Sequence, residues 1–484
     1  MKESLSVLGY GPGAPGAEDP GTERATAGPT DGAALLWKRM TLCAAPTARP
    51  PRIPVPPELR SVLALFETAA DGSPTGGPSA PSAGALYPYE HCAVVPGPDG
   101  PALYALDVAR RACRLLRTGA RTARALEDSG LGVPGAEESL VLNVVRPWLS
   151  MRKYGDRGYL YAQLDTAHLA THLLCLAEDS HRRAELRTRF APEPLAELLE
   201  LDLNCRFVHS ALVLRDRSGS PRAGHDWSCT DDRGGVPAGR AAVWPETECR
   251  RALTEYRRAL PARTPAAAGR RPLFPAMAPL PGAPAFPGGT SLTELAARRR
   301  STKDFAEAPL PGADLDRVLA ALRTPLTTDL PDDTGLGATL VVRRVTGRAP
   351  GSHPLYGTGP AAAPTAPAPD GDEVVRICMG QEHLRHTAAV VLFHAPGQEI
   401  FRPGAAGVDE ALLRAGALAQ LLCLGAARAD VAITTVGGFD AERWRTLAAL
   451  PERHEVLYVA MLGVPGASAV KLDRLNRAYA HNER

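Results

Sequence analysis

The 484-residue chain has no Cys-x-x-Cys pair. Its 9 cysteines are scattered singly, and an odd number of them speaks against a disulfide framework and for a reducing, cytoplasmic compartment. It has no excess of charge either, with 55 Lys plus Arg against 53 Asp plus Glu. No stretch interleaves basic residues with aromatics, so nucleic acid is not an expected partner. No apolar run approaches the ~20 residues of a membrane span, and the first forty residues lack the apolar core of a signal peptide. Neither membrane nor export is therefore expected. Gly-x-Gly-x-x-Gly and phosphate-loop lysine motifs are missing, which removes a Rossmann dinucleotide site and an NTPase. His168 and His172 lie one helical turn apart, as nearly do His383 and His386, but neither pair has the Glu of His-Glu-x-x-His or a third ligand. They are read as core or interface histidines, and no metal site is expected.

What the chain does have is length for two domains and three Pro/Gly-rich breaks, Gly11 to Thr30, Pro261 to Gly289 and Ala349 to Gly371. The expected organisation is a disordered tail over 1–30, one half over 31–217, a connector over 218–289 and a second half over 290–484. The halves repeat each other in one register. Ala167 to Ala177 lies over Gly416 to Ala426 at an offset of 417 − 168 = 249 residues. At the same offset Phe190 falls on Phe439, Val208 to Leu214 on Leu457 to Gly463, and Leu142-Asn143-Val144 on Val391-Leu392-Phe393. A constant register across two strands, a helix and a loop is hard to obtain by chance, whereas fusion of a two-fold homodimer produces it directly. A site between such halves can draw on both.

Four segments carry chemistry. Pro81-Ser82-Ala83-Gly84-Ala85-Leu86-Tyr87-Pro88-Tyr89-Glu90 leads into the apolar strand Cys92 to Val95; read alone it is a turn before a strand, with small residues that let backbone approach a planar ligand. Lys153-Tyr154-Gly155-Asp156-Arg157-Gly158-Tyr159 precedes a helix expected over Leu164 to Ala177. Arg298-Arg299-Arg300-Ser301-Thr302-Lys303-Asp304-Phe305 follows a helix expected over Leu292 to Ala297, where cations favour the helix end and a guanidinium fork suits phosphate. Thr435-Val436-Gly437-Gly438-Phe439-Asp440 permits close approach to its backbone.

The first segment closely resembles the Pro-Ser-Ala-Gly-x-Leu-Tyr-Pro-x-Glu signature of SagB-type azoline dehydrogenases, FMN flavoproteins of the nitroreductase superfamily found in thiazole/oxazole-modified peptide and thiopeptide pathways. The second resembles that family's Lys-Tyr-Gly-x-Arg-Gly-Tyr segment. The third and fourth are similar to the Arg-x-Ser-x-Arg/Lys-x-Phe opening and the Gly-Phe loop of nitroreductases. The resemblance implies an α+β fold of two nitroreductase-like units fused as a pseudo-dimer, each a mixed antiparallel sheet with helices. It implies Lys153 and Tyr154 as catalytic residues, and FMN held by Arg299, Arg300, Ser301 and Lys303 with Pro81, Ser82, Ala83, Gly84, Leu86, Gly437 and Gly438 around the ring.

The halves depart from the pattern reciprocally. The first offers only Lys38-Arg39-Met40-Thr41 for the arginine–serine opening and has Thr188-Arg189-Phe190 in place of Gly437-Gly438-Phe439; the second has Arg402-Pro403-Gly404 in place of Lys153-Tyr154-Gly155. In homodimeric nitroreductases the flavin sits between subunits, so the retained motifs imply one complete composite site and one vacated one. The expected activity is oxidation of thiazoline or oxazoline rings in a precursor peptide, with a cyclodehydratase as candidate partner and oxygen as final acceptor. An NAD(P)H-dependent flavin reductase and a flavin-free peptide scaffold are the alternatives.

Overall fold

A computed structural model of the protein describes residues 50–70, 79–201, 203, 206–217, 223–233, 248–260, 266–275, 277, 286–331, 335–355, 364–402 and 407–467. The expected tail, Lys38-Arg39-Met40-Thr41 and Pro403-Gly404 lie outside the described residues.

Val-, Leu- and Ile-rich runs form two sheets whose strands are buried almost throughout, as expected of strands covered on both faces. In the first, five strands run in the order Ala102–Asp107, Tyr89–Val95, Glu138–Val145, Phe207–Arg215, Arg183–Arg187. The second repeats that order with Gly351–Pro354, Gly337–Val342, Ala389–Pro396, His454–Gly463 and Ala432–Val436. Register is repeated too. Leu140 faces Val213 across one central pair and Ala389 faces Leu462 across the other, with 389 − 140 and 462 − 213 both equal to 249.

Each half contributes one long helix, Arg157–Asp179 and Gly407–Ala429. Both are apolar around most of their circumference, which demands burial on all sides, and every residue from Tyr161 to Ala177 is buried. They pack on each other where Gly416 meets Ala167: a Cβ added at Gly416 would stand 2.6 Å from the Ala167 Cβ. Those two positions are repeat mates, 416 − 167 = 249. A residue in contact with its own mate marks the pseudo-two-fold axis of a fused dimer.

The halves also share a sheet. Pro325–Thr328 of the second half pairs in parallel with Arg183–Arg187 of the first, and Gly269–Pro272 pairs beyond it. Next to that strand, the Asp329 carboxylate accepts from Thr188 N at 2.9 Å, Thr188 Oγ1 at 2.9 Å and Arg189 N at 3.0 Å. The sheet edge is thereby covered.

Four local expectations change. The strand Gly351–Pro354 lies inside the stretch read as a linker, and Ser228–Asp231, Glu248–Ala259 and Gly269–Pro272 lie inside 218–289. Proline and glycine break helices and central strands but are compatible with short edge strands. The first long helix begins at Arg157 rather than Leu164, because its polar residues find tertiary partners described below. Among the described residues Gly407–Ala429 is long and apolar enough to cross a membrane, contrary to the reading of its sequence, yet it is buried in the core.

Candidate functional site

Between the helix Pro57–Ala70 and the strand Tyr89–Val95, the loop Pro81–Tyr87 follows a strained path. Gly84, Ala85 and Tyr87 have φ of 62°, 55° and 47°. Only glycine tolerates this region cheaply, so two side-chain-bearing residues there need external support. Asp165, on the first long helix, supplies it. Its carboxylate accepts from Ser82 Oγ at 2.7 Å and Ala83 N at 2.9 Å, and Ser82 Oγ in turn accepts from Tyr87 N at 2.9 Å. Pro81 and Leu86 are buried beneath the loop.

Lys153 and Tyr154 end the helix Pro147–Tyr154; Gly155, at φ 61°, turns the chain into the long helix. Both side chains reach Gly84. A Cβ added there would overlap the Tyr154 phenol oxygen and lie 2.7 Å from Lys153 Nζ. The Tyr154 ring stands edge-on to Tyr161 at 5.0 Å, and Lys153 Nζ lies 5.2 Å from the Tyr154 ring centre. The structure leaves Lys153 exposed, since it sits on the last turn of a surface helix.

From the second half, Arg299 reaches the same loop. It follows the helix Leu292–Arg298, is 9% exposed, and donates through Nε to Ser79 O at 2.5 Å and through Nη1 to Ser301 Oγ at 3.2 Å. No carboxylate pairs with it among the described residues, and burial lowers its pKa. Arg300 goes elsewhere: exposed, it donates to the Ala297 and Arg299 carbonyls at 2.6 and 2.9 Å, capping the end of its own helix. Lys303 is partly buried two residues beyond Ser301.

The Gly437-Gly438 turn packs on the start of the first long helix. Arg157 Nε donates to Gly437 O at 2.7 Å and its guanidinium lies 4.7 Å from the Phe439 ring centre. Gln381 Nε2 donates to Gly438 O at 3.1 Å. A Cβ on Gly437 would overlap the Tyr161 ring, so close approach by a protein side chain already accounts for that glycine.

Behind the loop runs a buried relay between the halves. His168 Nδ1 donates to Gln420 Oε1 at 3.1 Å and its Nε2 accepts from Tyr458 OH at 3.1 Å; Gln420 Nε2 donates to His172 Nδ1 at 3.0 Å, leaving His172 Nε2 to donate to Ser79 Oγ at 3.0 Å. Burial lowers His168 to about 4 and His172 to about 3, so both are neutral. Burial pushes Asp165 up to about 7, against the opposing pull of Ser82 and Ala83.

Motif residues from both halves thus approach the segment Ser79–Tyr87, with Lys153 and Tyr154 at Gly84 and Arg299 at Ser79. Asp165, Tyr161 and Gln381 were not singled out in the sequence, and Arg157 stood only inside the quoted Lys153–Tyr159 segment; the available signal for Asp165 was a carboxylate within a mostly apolar helix. The arrangement fits the FMN that the sequence resemblance implies, because a buried guanidinium without a carboxylate, beside a serine hydroxyl, suits a phosphate.

Comparison with curated proteins finds no match. Residues 296–464 match the Nitroreductase family model. A putative nitroreductase from Anabaena variabilis superposes with a TM-score of 0.61 at 19% identity, over 89% of this chain and 95% of that one. A putative nitroreductase from Ralstonia eutropha covers 43% of this chain at 16% identity and TM-score 0.29, and an E. coli microcin synthetase complex covers 40% at 16% and 0.29. The protein therefore has the nitroreductase fold, and its residues 296–464 are similar to the Nitroreductase family.

Proposed function

We propose that this protein is an FMN-dependent dehydrogenase that oxidises thiazoline or oxazoline rings to azoles in a ribosomally made precursor peptide. The observation that carries this reading is the meeting at one loop of Lys153 and Tyr154, against Gly84, with Arg299, on Ser79. The first two come from one half and the third from the other. Arg299 and Ser301 would hold the phosphate, and Lys303, Gly438 and the Pro81–Leu86 segment would face the ring. Bound flavin supplies a two-electron acceptor.

The chain's own residues handle the proton. Forming the azole removes a hydride from one ring carbon and a proton from its neighbour, and a positioned acid–base group typically contributes ~10²–10⁴-fold in rate. Tyr154 Oη is backed by Gly84 and Tyr161, and Lys153 Nζ lies 5.2 Å from the Tyr154 ring centre, so a phenol and an ammonium stand side by side for the proton. Lys153 is exposed, so the pair is open to a polypeptide substrate. A cyclodehydratase would supply the azolines, and a cytoplasmic setting with oxygen as final acceptor completes the proposal.

The test is an absorbance spectrum of the purified protein with the released cofactor identified and counted, followed by turnover of an azoline peptide. One FMN per chain and azole formation are expected. Colourless protein would leave the scaffold reading, and bleaching by NAD(P)H without azoline turnover would leave a small-molecule reductase.

A further inference from the structure

Asp165 is a carboxyl that its setting does not obviously tolerate. It is 2% exposed, lies in a helix segment buried on every side, and among the described residues no cation pairs with it. An unpaired buried carboxylate is costly unless hydrogen bonds compensate. Its compensation comes wholly from the loop, through Ser82 Oγ and Ala83 N, and is relayed by Ser82 Oγ to Tyr87 N. These bonds bracket Gly84 and Ala85 and end on Tyr87, the three residues with positive φ.

We propose that Asp165 is a positioning residue: its carboxylate locks the strained Pro81–Tyr87 loop in the shape that presents Gly84 to Lys153 and Tyr154, and thereby sets the affinity of the site for flavin. The flavin part rests on the function proposed above; the loop part does not.

Pseudo-symmetry supports the assignment. The repeat mate of Asp165 is Arg414 (165 + 249), and Arg414 Nη2 donates to the carbonyl of Pro331, which lies shortly before the strand Gly337–Val342 as Ser82 lies shortly before its counterpart Tyr89–Val95. The same helix position thus anchors the segment before the equivalent strand in both halves, with donor and acceptor exchanged. At that helix position only the first half has a group that accepts from both a hydroxyl and an amide. The ionisable side chains facing Asp165 do not compete for that role. Tyr89, Tyr161 and Tyr458 are all pushed up by burial and further by Asp165 itself, and His168, one turn along, is neutral. Arg299 holds the loop one step earlier, at Ser79.

The test compares full-length wild type with Asp165→Ala, Asp165→Asn and Ser82→Ala. Amide hydrogen exchange is measured without flavin, and FMN binding by fluorescence titration. Asp165→Ala is expected to speed exchange of the 82–87 amides by about tenfold or more, leave the strand Phe207–Arg215 protected, and weaken FMN binding by a similar factor. Asp165→Asn keeps an acceptor for Ala83 N–H and should recover part of both effects. If Asp165→Ala does not fold, Ser82→Ala, which breaks only the relay to Tyr87, should still loosen 84–87. Unchanged loop exchange in a folded Asp165→Ala, or in Ser82→Ala where the former is insoluble, overturns the proposal. Loop exchange that responds in a protein binding no FMN would uphold the positioning role and reject the flavin reading alone.

Discussion

Gly84→Ala perturbs the candidate site at the point where backbone strain and side-chain crowding coincide. At φ 62° a Cβ costs ~1–2 kcal/mol from the left-handed conformation alone. The same Cβ would overlap the Tyr154 phenol oxygen and stand 2.7 Å from Lys153 Nζ, an overpacking that typically costs ~1–3 kcal/mol. The sum is ~2–5 kcal/mol as an upper figure, because Lys153 is exposed and can swing away while the partly buried Tyr154 has less room. Thermal unfolding should fall by several degrees, at ~2–4 °C per kcal/mol for chains of this kind. The diagnostic measurement is the double variant with Tyr154→Phe, which removes the phenol oxygen that the new methyl meets. Its loss of stability should be smaller than the sum of the single losses by about 0.5 kcal/mol or more, as for residues in direct contact. Ala85→Gly, which relieves a non-glycine φ of 55°, should be neutral or stabilising. Strict additivity of Gly84→Ala and Tyr154→Phe would refute the placement of the tyrosine against the loop.

Lys153→Ala and Tyr154→Phe should keep flavin content while slowing azoline oxidation ~10²–10⁴-fold in single-turnover assays; full activity in both would remove them from the mechanism. Arg299→Ala should strip bound FMN, read from the absorbance of purified protein, since a phosphate loses a charge-assisted partner, whereas Arg300→Ala, whose fork caps its own helix, should retain it. Asp165 has a folded pKa of about 7 against ~3.9 unfolded, so the folded state is favoured while the group is protonated and loses stability as pH rises from about 4 through 7. Asp165→Asn removes that loss, by up to ~4 kcal/mol, so its melting temperature relative to wild type should climb between pH 5 and pH 8; a flat difference would contradict the raised pKa. Gly416→Leu, at the contact with Ala167, should separate the halves or block folding, monitored by circular dichroism and sedimentation.

Much of the architecture was legible in the residues alone, because apolar periodicity reports burial and burial follows the repeat. The 249-residue offset, the two long helices and the central strands could all be read from it, and the pairing Leu140–Val213 beside Ala389–Leu462, which the structure adds, repeats the same offset. The segments around Gly84, Lys153, Arg299 and Gly437 are marked by their resemblance to family motifs; their residue types alone read as turns, a surface charge and a basic helix end. Sequence could not decide partners. Arg299 and Arg300 are neighbours with identical side chains, yet one turns inward to Ser79 and the other caps its helix, a choice made by which face of the chain the other half covers. Lys153 is exposed and Asp165 buried for the same kind of reason: exposure depends on what packs from elsewhere, and the bonds to Asp165 come from 82 and 83 residues away along the chain. Gly437 looked like a place for a ligand, and tertiary packing put Tyr161 there. Local sequence determines the backbone's preferences and the side chains' chemistry; which groups meet is set by long-range closure of the pseudo-dimer, for which a single chain carries no local signal.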